Sequence, residues 1–205
     1  MSDSLTIKQR IDAHVIPTYA RFDLALTHGK GCHVFDAEGK SYLDLGTGIA
    51  TACLGHSHPE LAAALTEQAG KLTHISNLYY TEPQGLLAEK LVQLAGGTGK
   101  VFFCNSGAEA NETLYKLARL RNHEEGQFEI LTTLGSFHGR TLASIAATGQ
   151  TKVKEGFAPA MEGFRHVSYG DLDAMREAIS PATGAILVEP IQGENGVHCA
   201  TPEYL

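Results

Sequence analysis

Three short segments of this 205-residue chain concentrate side chains able to bind and orient a small charged molecule. The first is Cys104-Asn105-Ser106-Gly107-Ala108-Glu109-Ala110-Asn111-Glu112. Its small residues let a ligand come close to the backbone. A helix beginning here would present unpaired N–H groups and the positive end of its dipole, the two features that bind phosphate. The same residues also fit an ordinary helix cap made by Asn105 or Ser106. The second segment, Ser136-Phe137-His138-Gly139-Arg140-Thr141, groups an aromatic ring, an imidazole and a guanidinium. Phe137 could stack on a flat ring, and Arg140 has the planar fork that grips a carboxylate. Taken alone, the segment reads first as a surface ion pair for Arg140 and a core position for Phe137. The third, Val188-Glu189-Pro190-Ile191-Gln192-Gly193-Glu194-Asn195-Gly196, carries two carboxylates on a glycine-flanked loop. Glu194 could neutralise an arginine or orient an amine, or the loop could simply be solvated.

Other clusters fail on order or chemistry. Gly96-Gly97-Thr98-Gly99-Lys100 resembles the end of a nucleotide-binding loop. However, it precedes an apolar run instead of following one, and Val101 stands where a hydroxyl is needed. Gly46-Thr47-Gly48 lacks the third glycine of a dinucleotide fingerprint and reads as a flexible hinge. Cys53, His56 and His58 have no fourth ligand at a zinc spacing, so hydrogen-bonded loop histidines are expected and no metal.

The elements that must position these segments follow from periodicity. His33–Phe35 and Ser41–Leu45, joined by Asp36-Ala37-Glu38-Gly39-Lys40, predict a β-hairpin. From Pro59 the pattern changes to helices alternating with strands. Pro59 opens a helix carrying Leu61, Ala64, Leu65 and Leu72, and Leu87, Leu91 and Leu94 mark a second that stops at Gly96-Gly97. Ala110, Leu114, Leu117 and Ala118 mark a third. Val101–Cys104 predicts a strand buried on both faces, as do residues 128–134. Residues 164–167 predict a weaker strand, 171–179 a helix, and Ala185–Val188 the clearest strand of all. Such alternation implies a mostly parallel sheet. The first two segments then follow the carboxyl ends of strands, where open parallel sheets bind ligands.

Sixteen basic against 23 acidic residues give a net charge of −7, which argues against nucleic acid or an anionic membrane as partner. Residues 1–10 lack an apolar leader core, no run is long enough to span a bilayer, and four scattered cysteines fit reduced thiols. A cytoplasmic location is the expectation.

Taken together and in order, several segments resemble class III, fold-type I pyridoxal-phosphate-dependent aminotransferases. They are Pro17–Arg21, Gly55–Pro59, Ser76-Asn77-Leu78-Tyr79-Tyr80, Ser106–Glu112, Phe137–Thr141 and Glu189–Glu194. The resemblance implies an α/β fold-type I architecture, with residues 1–58 belonging to a small domain and 59–205 to part of the cofactor-binding large domain. It implies pyridoxal 5'-phosphate, bound by Ser106, Gly107, Ala108, Phe137 and His138. It also implies a substrate site with Arg140 on the α-carboxylate, Glu194 near the side-chain pocket, and Ser76 and Asn77 near the entrance. The implied reaction is transfer of an amino group from N²-acetylornithine to 2-oxoglutarate in arginine biosynthesis, by a homodimer. Succinylornithine, ornithine or 4-aminobutyrate are the alternative donors, and an inactive remnant is the remaining reading. The family's cofactor-holding lysine and the carboxylate facing the ring nitrogen fall beyond Leu205. These 205 residues alone are therefore expected not to transaminate.

Overall fold

In the computed structural model, residues 3–205 are described; Met1 and Ser2, part of the leader reading above, lie outside them. The chain forms two compact units, residues 1–87 and 88–205.

The first unit starts with helix α1, Ser4–His14, whose N-cap Asp3 accepts the Thr6 N–H. Its sheet is antiparallel, in the order β1 (Leu26–Lys30), β2 (His33–Asp36), β3 (Ser41–Leu43). The predicted hairpin is β2–β3, and β1 adds a strand that periodicity did not single out, since Thr27-His28-Gly29 is polar and small. Asp36 holds the turn. Its carboxylate, buried in the hairpin, accepts the N–H groups of Glu38 and Lys40 and the Tyr42 hydroxyl.

The segment expected to be a loose hinge is instead a left-handed turn, α2 (Thr47–Ala50), in which Thr47, Gly48, Ile49 and Ala50 all have positive φ. Asp44 tethers it by accepting the N–H groups of Gly46 and Thr47, while its other oxygen lies 2.7 Å from His56 Nε2. Those bonds hold the Asp44 carboxyl below its ordinary pKa, the His56 contact contributing most. His56 is thus the hydrogen-bonded loop histidine expected. His58 is not, because its Nδ1 is buried without a partner. Helix α3 (Pro59–Ala69) begins at Pro59 as predicted. Helix α4 (Glu82–Leu94) ends just before Gly96-Gly97, both at positive φ. Neither buries its leucine stripe: Leu61, Leu65, Leu87 and Leu91 are all exposed.

The second unit is built on a parallel sheet in the order β5 (Phe164–Val167), β4 (Glu129–Thr133), β6 (Thr183–Ile186). Helices cover β4 on both faces, and its side chains alternate between them. Ile130 packs with Tyr115 of α5 (Gly107–Arg121) and with Ala143 and Ala147 of α6 (Leu142–Ala147). Leu131 packs with Met175 and Ala178 of α7 (Leu172–Ala178). Helix α5 therefore buries Tyr115 and Ala118, while the predicted face residues Leu114 and Leu117 remain about half exposed. Tyr115 meets Phe164 edge-to-face, with ring centroids 5.2 Å apart.

Two strand predictions need correction. Val101–Cys104 is not a strand: Phe102 is 63% exposed, and no strand among the described residues pairs with it. An apolar run becomes a buried strand only when a neighbour supplies the ladder. The strand placed at Ala185–Val188 lies two residues earlier, although the Leu187 N–H still donates to the Leu131 carbonyl. A two-stranded ribbon, β7 (Ile191–Gln192) with β8 (His198–Cys199), completes the unit. No helix among the described residues is long and apolar enough to cross a membrane.

Candidate active site at the carboxyl end of the central strand

The three segments with chemical potential all lie in the second unit, and side-chain and backbone contacts tie them to one another. Strand β4 ends at Thr133 and hands the chain to the loop 134–141. That loop folds back tightly enough that Gly149 lies against it: a Cβ at Gly149 would sit 2.0 Å from the Thr133 carbonyl oxygen. Ser136, fully buried, accepts the Gly149 N–H, and the Gly135 N–H donates to the Gly149 carbonyl. Thr141 then caps α6 by accepting the Ser144 N–H. A threonine before an apolar run is the sequence signature of such a short helix.

Helix α5 points its amino end at this loop. Ser106 is its N-cap, accepting the Glu109 N–H, so the cap reading of this residue holds. The Glu109 carboxylate turns back to accept from Asn105. The N–H groups of Gly107 and Ala108 have no partner among the described residues, and a Cβ at Gly107 would meet nothing within 4 Å. Asn111 Nδ2 donates to the His138 carbonyl at 2.7 Å, and the Thr141 hydroxyl donates to Glu112. A side chain at Gly139 (φ +125°) would press on Ser144 and Ala108. The α5 amino end and the loop 137–141 are thus one structure.

Phe137 is half-buried, and its N–H donates to Glu189 Oε2 at 3.1 Å. Arg140 is exposed, with its Cζ 5.2 Å from the centre of the Phe137 ring. It forms no ion pair among the described residues, so the surface salt-bridge alternative is not realised. His138 faces the interior. Its imidazole is turned inward, 3% exposed, with Nε2 3.0 Å from the Thr132 hydroxyl. Burial, with a smaller push from His166, lowers its pKa to about 4. It is a neutral interior group that supports the loop; the ring is not presented to a ligand.

The third segment is pinned by residues that composition did not single out. Gln192, 2% exposed, donates to the Thr133 hydroxyl and the Leu134 carbonyl, each at 3.0 Å. Burial raises the Glu189 carboxyl, the Phe137 N–H opposes that, and Glu194 raises it further. Glu194 itself is exposed. Ser76 and Asn77 belong to the first unit. Both are exposed, and Ser76 (φ +62°) accepts the Leu78 N–H in a tight turn. No group of three potential metal ligands occurs among the described residues.

A phosphate-type helix end is thus held against an aromatic–arginine loop at the end of a parallel strand. The family model of aminotransferase class-III matches residues 16–205. The chain belongs to the class-III aminotransferase family. It is 49% identical over its full length to an acetylornithine aminotransferase from Myxococcus xanthus, covering 52% of that protein. It is 51% identical over 94% of its length to one from Nostoc sp., covering 47%. The chain spans about half the length of the curated relatives it matches. Among solved structures, the ornithine aminotransferase of Toxoplasma gondii superposes with a TM-score of 0.91 at 29% identity, over all of this chain and 49% of that one. A second structure of that enzyme, with a TM-score of 0.88, has partial occupancy of pyridoxal phosphate at its active site. The acetylornithine aminotransferase of Elizabethkingia anophelis gives 0.80 at 30% identity. The fold is that of the fold-type I aminotransferases, as the resemblance implied.

Proposed function

We propose that this sequence supplies the phosphate-binding and carboxylate-binding half of an N²-acetylornithine:2-oxoglutarate aminotransferase. The supporting observation is the junction of α5 with the loop 137–141, where two unpaired N–H groups, an aromatic ring and an arginine without a carboxylate partner share one strand end. That donor set fits pyridoxal 5'-phosphate. Gly107 and Ala108 donate their N–H groups to its phosphate, with Ser106 holding the helix end that presents them. Phe137 lies against its ring. Bound there, the cofactor supplies an electron sink for chemistry at a substrate α-carbon.

In this reading, Arg140 fixes the α-carboxylate of the amino donor and of 2-oxoglutarate in turn. Its guanidinium is stacked near Phe137, so the carboxylate is held at a set distance from the ring face. Glu194 selects the donor's far end, and Ser76 and Asn77 line the approach. His138 acts as a support for the loop. Residues 1–58 form part of the small domain and 59–205 part of the large one, and the complete protein is a cytoplasmic homodimer. The cofactor-holding lysine belongs to the remainder of the protein. An acetylated donor is favoured by the roughly half-identical relatives that bear the acetylornithine name. Ornithine is the second reading, supported by the 0.91 superposition on an ornithine aminotransferase.

The experiment is a substitution in the protein containing the whole of this sequence. Arg140→Lys keeps the charge and loses the fork. It is expected to weaken both the amino donor and 2-oxoglutarate, at a cost of about 2–4 kcal/mol in transition-state stabilisation. Unchanged kinetics for both substrates would make the arginine structural. A Cβ at Gly107 would meet nothing within 4 Å, so Gly107→Val should leave the fold intact while cofactor titration shows a loss of affinity. Wild-type affinity in that variant would remove the phosphate assignment. Comparing N²-acetylornithine with ornithine, succinylornithine and 4-aminobutyrate as donors separates the substrate readings.

A further inference from the structure

We propose that Lys154 is a carbonyl-reactive amine, a site at which a small apolar aldehyde condenses with the protein. Lys154 ends a short 3-10 helix, Thr151–Lys154, that follows α6. It lines a cavity of about 150 Å³ whose other walls are apolar: Leu142 and Ile145 from α6, then Phe157, Pro159 and Met161. Among the described residues lining it, Lys154 alone is titratable. A volume of that size corresponds to roughly five waters, enough for a molecule of four or five heavy atoms.

The surroundings of the amine favour its neutral form. No carboxylate among the described residues pairs with Lys154. Its Nζ lies 3.4 Å from the Ala146 carbonyl and 3.4 Å from His166 Nε2. That ring nitrogen is itself 3.0 Å from the Ala147 carbonyl and 3.1 Å from the Thr148 carbonyl. Two carbonyl acceptors require Nε2 to carry the hydrogen, so it cannot accept one from an ammonium. Lysine thus meets an N–H on one side and an apolar wall on the other, and one long contact to the Ala146 carbonyl is all that is left to stabilise positive charge. Burial accordingly holds the Lys154 pKa below the ordinary lysine value.

A neutral lysine amine in an apolar pocket is a nucleophile towards carbonyl carbon. The nitrogen lone pair attacks the aldehyde carbon and the C=O π pair moves to oxygen. The two amine hydrogens then leave with that oxygen as water, and a C=N bond is left. Amine plus aldehyde gives imine plus water, with no oxidant or reductant consumed. The site is separate from the strand-end site proposed above and does not depend on it. The pocket is too small for a phosphorylated aromatic aldehyde.

The test treats the folded protein containing this sequence with limiting propanal at neutral pH, traps imines with cyanoborohydride and follows each lysine by peptide mass spectrometry. Lys152, two residues away on the same turn and exposed, is the internal reference. Burial of Lys154 raises the fraction of its amine that is neutral, and the cavity gathers the aldehyde beside it, so Lys154 should label several-fold faster than exposed Lys152. With 1-naphthaldehyde, which does not fit the cavity, the ratio should fall to about one. Equal labelling of the two lysines by propanal would overturn the proposal, as would a Lys154 preference that persists with the bulky aldehyde.

Discussion

The two units of this chain are held together by different forces. In residues 88–205 the central strand is enclosed: Ile130, Leu131, Thr132 and Thr133 are each 3% exposed or less. Apolar side chains seal both faces, and the polar groups at the strand's end are paired inside that seal. In residues 1–87, Ala25 and Asp36 are the only buried residues among those described. Order there comes from the β1–β2–β3 ladder and from hydrogen bonds to two carboxylates: Asp36 gathers a hairpin turn, and Asp44 gathers a left-handed turn and His56. Meanwhile Phe22, Leu45 and Ile49 are each more than 80% exposed. A site that must hold groups to a fraction of an ångström belongs on the enclosed strand, because neighbours packed on every side leave its side chains no alternative positions.

That contrast can be tested by substitution. The largest effect is expected from Gly149→Ala. Its Cβ would meet only backbone, at 2.0 Å from the Thr133 oxygen and 2.7 Å from Leu134 Cα, so the strand end must shift. A loss of about 4 kcal/mol is expected. Hydrogen exchange should localise it to β4 and α6; full protection there would show that the enclosure is looser than described.

Next comes the buried imidazole. The His138 pKa falls from 6.5 to about 4 on folding, so the unfolded chain binds more protons between those values. Its contribution to stability is complete above pH 6.5 and is lost as pH falls towards 4, about 3 kcal/mol in all. Chemical denaturation of wild type and His138→Gln should therefore converge as pH drops from 7 to 4. Parallel curves would place that histidine outside the sealed region.

In the first unit, Gly55→Ala (φ +77°) would put a Cβ 2.9 Å from the Gly31 oxygen in the bridge that Gly31 makes with His56. A loss of about 2 kcal/mol is expected, read as faster exchange of the Gly31 and His56 amides with β4 unaffected. The smallest effect is Ser106→Ala, about 1 kcal/mol from the lost cap of α5. No change in stability would mean that the amino end of this helix is held by the loop 137–141 alone.

Much of this was legible in the residues. The hairpin, the helix starts at Pro59 and near Gly107, and the strands at 129–133 and 164–167 follow from turn chemistry and periodicity, which act over a few neighbours. What was missed depended on distant partners. Val101–Cys104 has the composition of a buried strand but no ladder partner among the described residues. The leucines at 114 and 117 share the predicted helical face with Ala118, yet the sheet took Ala118 together with Tyr115 and left the leucines half exposed. His138 stands between Phe137 and Arg140, and nothing local shows that its ring turns down to Thr132. Glu189 and Gln192 were visible as polar residues after a strand, but not as the groups that bind the Phe137 amide and the Thr133 hydroxyl, 52 and 59 residues away.

The sequence by itself therefore determined the local elements and the stock of chemical groups, because φ preferences, capping and apolar period are properties of short stretches. It also carried the family, because six short segments recur together in order. Only the tertiary structure decided which of those groups stay accessible at the strand end and which became internal supports. That choice depends on side chains dozens of residues apart competing for the same small volume at the end of one strand.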